Sequence, residues 1–201
     1  MSVINVATED DLSEAVACRL VRATLPNFDV GLRLRKGGVG YLRSSFAKFR
    51  QMAAREPVLL LTDLDTAVCP PHLIQSWQGD SPLPPTLLMR VAVREVESWI
   101  LADRVGLSRL LGISMALLPQ NPDQLLDPKA FLLNLARRAS RNVRTELLAM
   151  RGTTASQGLG YNRVLSSFVE EDWSIDRARA HSDSLSRAMD RLGALTDDYR
   201  I

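Results

Sequence analysis

PVLLLTDLDTAVCP, residues 57–70, carries four consecutive aliphatic residues, Val58 to Leu61, straight into two carboxylates, Asp63 and Asp65, with a proline at each end. A run that is apolar on both faces reads as a central strand of a parallel sheet, covered by helices on both sides. Asp63 and Asp65 then stand at its carboxyl end, the edge at which open α/β sheets bind ligands. Alternation along an extended segment points both acids the same way, and adjacent anions repel unless a cation lies between them. A divalent metal meets that need. A turn-and-cap role for two Asp residues meets it as well, so the residues alone leave both readings open.

Upstream, Tyr41 to Arg55 has Leu42, Phe46, Phe49 and Met52 at helical spacing and leads into this strand. KGGVG, residues 36–40, is a glycine turn without the spacing of a phosphate-cradling loop. Before it, FDVGLRLR, residues 28–35, alternates with Phe28, Val30, Leu32 and Leu34 on one face, which predicts a half-exposed edge strand. The first apolar run, Val3 to Thr8, predicts a buried strand that stops at Glu9, Asp10 and Asp11, and a helix runs from there to Pro26. Asp10 or Asp11 suits the helix cap, which leaves Glu9, at the strand's last position, as the acid free to act as a ligand.

Downstream, Pro70 to Gly79 predicts a short helix, and Thr86 to Val93 a fourth strand running directly into REVESWILADRVGLSRLLG. On that helix Val96, Trp99, Ile100, Leu107 and Leu111 form one stripe; Glu97 borders it, while Glu95 falls on the solvated side. Asp103 lies inside the stripe and predicts a broken helix that it caps. Residues 118–128 hold three prolines and read as loop, Lys129 to Met150 as helix, and Arg151 to Gly160 as a mobile loop. A last helix from about Ser174 carries Ile175, Ala178, Ser182, Leu185, Met189 and Leu192 on a narrow seam. The expected architecture is α/β: a Rossmann-like, mostly parallel four-stranded sheet over residues 1–112, with a C-terminal helical extension, 113–201, packed on it.

Composition narrows the function classes. A chain of 201 residues with 46% hydrophobic and 24% charged residues is an ordinary globular domain. A net charge of +2 neither demands nor excludes a polyanionic partner, although most of the basic residues are Arg, the better phosphate ligand. Arg137, Arg138, Arg141 and Arg144 form the densest basic cluster. Two cysteines without CxxC or Cys/His spacing point away from zinc and to a reduced, cytoplasmic setting. No apolar run is long enough to span a bilayer, and the N-terminus lacks a leader pattern, so no membrane association is expected.

The order strand, acid, helix, strand, helix, strand with Asp-x-Asp, helix, strand resembles the Toprim domain of topoisomerases, primases and overcoming-lysogenization-defect type nucleases. Glu9 falls where that family carries a Glu after its first strand, and Asp63 and Asp65 where it carries Asp-x-Asp after its third. REVESWILAD followed by NPDQLLDPK further resembles an uncharacterised Toprim-like family of bacterial genomes, sometimes encoded beside ATPases in phage-defence loci. Here ATEDD replaces the commoner Glu-Gly of the Toprim pattern. The resemblance implies Mg²⁺ or Mn²⁺ held by Glu9, Asp63 and Asp65, with Glu97 completing a second metal position, and phosphodiester hydrolysis on nucleic acid. Lys129, Arg137, Arg138 and Arg141 are the implied phosphate contacts, and an ATPase is the implied partner. DLDTAV also resembles the first motif of haloacid-dehalogenase-like phosphatases, with Asp63 as nucleophile and Asp65 as acid. A non-catalytic interaction module is the third expectation.

Overall fold

Val58–Asp63 is extended and closed to solvent on both faces: Val58 and Leu60 enter one apolar cluster with Phe49 and Met89, while Leu59 and Leu61 enter another with Ile4 and Trp99. In this computed structural model, which describes residues 2–150 and 152–198, it is the third of four strands. These are β1 (Ser2–Ala7), β2 (Phe28–Leu34), β3 (Val58–Asp63) and β4 (Leu87–Ala92), all parallel in the order β2-β1-β3-β4. The fold is therefore α/β, with β1 and β3 central and a helical C-terminal region.

Helices cover both faces because each pleat is apolar on both sides. On one face lie α2 (Val39–Ser44), α3 (Phe46–Ala53) and α4 (Pro70–Gln78), through Leu42, Phe46, Phe49 and, less deeply, Ile74 and Trp77. The other face meets α1 (Asp11–Thr24) and the C-terminal helices in a single larger core. Those are α5 (Glu97–Ala102), α6 (Arg104–Leu111), α7 (Pro128–Ala136), α8 (Arg141–Leu147), α9 (Tyr161–Glu171), α10 (Ile175–Arg179) and α11 (Asp183–Asp198). Each fully buried Leu, Ile or Phe contributes about 1.5–3 kcal/mol to holding these layers together. Among the described residues no helix is long and apolar enough to cross a membrane.

Four expectations about the secondary-structure elements are corrected. In β2 the single apolar face breaks, because Ile4 pairs with Val30 but Val6 pairs with Arg33, so two residues oppose Asn5 in a β-bulge. Phe28 and Val30 face the larger core, Leu34 the smaller one, and Leu32 is 58% exposed. Gly31 suits that place, since a Cβ there would strike the side chains of Val3 and Asn5. The bulge also turns Arg33 and Arg35 toward Glu14 on α1.

The second correction is the helix expected over residues 129–150, which breaks between α7 and α8. Third, the last helix breaks at Ala180–Ser182, although all six seam residues, Ile175 to Leu192, are buried as their spacing requires. Fourth, α9 was not foreseen, even though Tyr161, Leu165, Phe168 and Val169 follow helical spacing and are buried. Asp103 does cap α6, accepting from the Gly106 amide at 3.0 Å. Arg151, the start of the loop expected to be mobile, lies outside the described residues. The far end of that loop is pinned: the Gly158 amide donates to the Leu147 carbonyl at 2.8 Å, and a Cβ on Gly158 would strike the Glu146 carbonyl.

Candidate functional site

The carboxyl ends of β1, β3 and β4 deliver Glu9, Asp63 and the 93–97 segment to one place. β1 ends at Ala7, and the Thr8 amide still bonds the Leu34 carbonyl, so Glu9 is the first residue beyond the sheet rather than its last position. The glycine turn holds it there: the Gly38 amide donates to the Glu9 carbonyl at 3.0 Å, with Gly37 and Gly38 both at positive φ. Asp10, alongside, is consumed as the N-cap of α1, accepting from the Ser13 amide at 2.8 Å.

Glu9 Oε1 accepts from the Thr62 hydroxyl at 2.6 Å and from the Asp63 amide at 2.9 Å, so the first acid reaches across to the third strand. Asp63 Oδ1 in turn accepts from the Val96 amide at 2.9 Å, at the start of α5. Burial raises the Asp63 carboxyl well above the usual carboxylate range, and Glu9, Glu97, Asp10 and Asp65 each push it further the same way. Glu9 is also raised, first by burial and then by Asp65 and Asp10, against the two hydrogen bonds that hold its anion. Glu9 is the acid in direct contact with Asp63, through the Asp63 amide.

Glu97, the first residue of α5, is 5% exposed. Its Oε1 accepts from the Tyr161 hydroxyl at 2.8 Å and lies 3.9 Å from the Lys129 ammonium, which itself stands 5.2 Å from the Tyr161 ring centre. Burial lifts the Glu97 carboxyl to about 7, with Lys129 and Tyr161 opposing. Burial and the facing Glu97 anion also raise the Tyr161 phenol, which therefore stays a proton donor. Glu95 differs from its expected solvated position: it precedes the helix rather than riding on its polar face. It is half-buried and accepts from the Lys129 amide at 2.8 Å, fastening the start of α7 to the site.

Asp65 does not continue the strand. It is exposed, its φ is +48°, and across from it Arg94 has φ +64°. The two lock together: the Asp65 amide donates to the Arg94 carbonyl at 2.9 Å, and Arg94 Nη1 donates to the Asp65 carbonyl at 2.8 Å. Left-handed backbone at a non-glycine residue costs on the order of 1–3 kcal/mol and gathers at functional sites. Asp63 and Asp65 therefore do not share a face by simple alternation; Asp65 comes back to the site by a turn.

The donors are hard oxygens throughout, and one oxygen each of Glu9, Asp63 and Glu97 is hydrogen-bonded within the protein. Among the described residues no three acid, histidine or cysteine side chains close on one point to make a metal cage. Mg²⁺ keeps several waters and takes one or two carboxylates plus substrate oxygens, so one or two of these acids, not all of them together, are the donors such an ion would use.

Arg137, Arg138, Arg141 and Arg144 are exposed, and none pairs with a carboxylate among the described residues. Arg137 and Arg144 line a cleft of about 840 Å³ between α7 and α8, with Asn134, Thr145 and Ser156. Among the described residues no acid lines it, and Ala130, the residue after Lys129, is part of its wall. Tyr161 is the site residue the sequence reading missed; its place as the first buried residue of an unforeseen helix was the available signal. No family model, curated protein or solved structure matches the chain.

Proposed function

We propose that this chain is a metal-dependent, Toprim-like phosphodiester hydrolase acting on nucleic acid. The observation that carries the reading is that Glu9 bonds the Asp63 amide at the carboxyl edge of the sheet, while Asp63 bonds the Val96 amide beside Glu97. Burial and neighbouring acids raise both Asp63 and Glu97, and a bound cation would relieve that cost. Glu9, Asp63, Asp65 and Glu97 are the carboxylates from which one or two would take Mg²⁺ or Mn²⁺, since among the described residues no three of them close on one point. Such an ion, when bound, neutralises charge on a phosphodiester and lowers the pKa of its water.

The protein's own groups have separable tasks. Glu9 is fixed by Thr62 and the Asp63 amide, so its orientation is set before substrate arrives. Glu97 takes or gives a proton near neutral pH, where general acid–base work is most effective, and Tyr161 and Lys129 hold it in place. Arg137 and Arg144, outside any ion pair among the described residues, supply cations along a cleft whose wall includes Ala130, next to Lys129 in sequence, as a nucleic-acid backbone requires. An adjacent ATPase partner belongs to the same reading.

The test is nicking of supercoiled plasmid with Mg²⁺ or Mn²⁺, and hydrolysis of a chromogenic phosphomonoester, by the parent protein and Asp63→Asn. Metal-dependent nicking that Asp63→Asn abolishes, with no monoester turnover, is expected. Monoester turnover lost in Asp63→Asn would identify the phosphatase instead. A parent protein that binds neither metal nor nucleic acid would leave the interaction module.

A further inference from the structure

β4 is the free edge of the sheet opposite β2, and Arg90 sits in the middle of it. Leu88 and Ala92 on either side enter the larger core, so Arg90 projects to the same face, where α11 packs on β4. Its Nε donates to the Met89 carbonyl, which blunts the strand edge. The two terminal nitrogens have no acceptor, and no carboxylate lies within ion-pair distance, among the described residues. Burial and the neighbouring Arg191 cation lower the Arg90 pKa to about 10. Guarding the edge accounts for the Nε bond. It leaves the two terminal nitrogens of this half-buried guanidinium free to take an anion at the mouth of a neighbouring cavity.

A cavity of about 300 Å³ opens beside Arg90, between α4 and α11. Pro71, Ile74, Met89 and Val91 give it apolar walls, and Arg187 stands on the α11 side, exposed and outside any ion pair among the described residues. Asp183, Arg187 and Arg191 recur every four residues and form one stripe on α11. Arg191 donates to the Pro85 carbonyl, just before β4 begins, so the cationic end of the stripe lies there, and Asp183 lies toward Val93 at the other. Asp123, also in the wall, is engaged by the Ser182 hydroxyl and the Ser184 amide, each at 2.8 Å. The cavity therefore has a cationic part, apolar sides, and one exposed acid at the far end.

We propose that this cavity binds a phosphomonoester of about mononucleotide size, with its phosphate between Arg90 and Arg187 and its donor-bearing remainder directed to Asp183. A guanidinium whose two terminal nitrogens are free offers the fork that grips phosphate oxygens. About 300 Å³ is the lower end of the range for small-molecule sites. Apolar walls accept the face of a base or similar ring, and Asp183 accepts its hydroxyl or amino hydrogens. The site shares no residue with the acid cluster, and metal-free carboxylates would repel a phosphate.

The test is isothermal titration in EDTA with AMP, adenosine and inorganic phosphate, on the parent protein, Arg90→Gln and Arg187→Gln. The parent is expected to bind AMP, inorganic phosphate to compete, and adenosine to bind at least about tenfold more weakly. Arg90→Gln and Arg187→Gln should each weaken AMP about tenfold or more, since each removes a charge-assisted contact. Arg187 is exposed, so that variant keeps the fold and the arm stands even where Arg90→Gln unfolds. No AMP binding by the parent, equal affinity for adenosine, or unchanged AMP affinity in Arg187→Gln would overturn the proposal.

Discussion

Glu97 is a nearly closed-off carboxylate whose partners, the Tyr161 hydroxyl and the Lys129 ammonium, do not bring it back to an ordinary acid. Its carboxyl rises from 4.5 to about 7 on folding, so the folded chain binds more protons than the unfolded chain between those values. Stability contributed through Glu97 is therefore full below pH 4.5, falls as pH rises to about 7, and is level above it. Asp63 and Glu9 shift in the same direction and add to the fall. Urea midpoints should drop across this window for the parent and drop less for Glu97→Gln, which should be the more stable protein above neutral pH. Mg²⁺ should offset the drop in the parent by binding only the folded state. Glu97→Gln should bind Mg²⁺ about tenfold more weakly or worse by calorimetry. Unchanged Mg²⁺ binding together with earlier unfolding would instead make Glu97 a structural partner of Lys129.

At the scale of elements, one buried acid ties three helices together. Asp103 ends α5, caps α6 through the Gly106 amide, and receives the Ser174 amide at 2.8 Å and Arg177 through Nε and Nη2 at 2.6 and 2.7 Å, at the start of α10. Asp103→Ala strands two backbone amides, and about 3–5 kcal/mol of stability should be lost in urea unfolding. Metal affinity of whatever folded protein remains should be unchanged, because Asp103 serves the scaffold and not the site. The α7–α8 pair carries a different expectation. If nucleic acid follows the cleft lined by Arg137 and Arg144, the double variant Arg137→Ala/Arg144→Ala should bind a fluorescent oligonucleotide more weakly. The slope of log affinity against log salt should flatten by about 1–2. An unchanged slope would place the phosphates elsewhere.

At the scale of the molecule, the larger core runs without a break from Ile4 in the first strand through Trp99 and Tyr161 to Leu195 in the last helix. Trp173 donates to the Trp99 carbonyl at 3.2 Å, and Trp99 donates to Ser184 at 2.7 Å, so the helical region is hydrogen-bonded as well as packed to the segment after β4. A fragment of residues 1–112 would expose the apolar faces of α1, α5 and α6 together. It should show no cooperative urea transition and little near-ultraviolet circular dichroism. A sharp transition in that fragment would show that the sheet and its first helices fold alone. The site bears on the same point, since Tyr161 and Lys129 come from beyond residue 112 to hold Glu97.

Four strands, their parallel order of use and the placing of Glu9 and Asp63 at carboxyl ends were legible in the sequence. Apolar runs and the acids that close them are local features, and periodicity reports them directly. The capping role of Asp103 and the seam of the last helices were legible for the same reason. The bulge at Asn5 was not, because Leu32 alternates correctly within its own strand and is displaced only by pairing with β1. Neither was the turn that sends Asp65 into a left-handed backbone, which the Arg94 contact stabilises from another strand's loop. Nor was the half-buried place of Glu95, which would be solvated only on a helix running through it, whereas α5 begins two residues later at Glu97. The proton chemistry of Glu97 depends on Tyr161 and Lys129, 64 and 32 residues away, and the open cation of Arg90 depends on α11 closing over β4. Contacts between residues distant in sequence leave no period behind them, so burial, pairing and the charge of this site were decided by the tertiary structure alone.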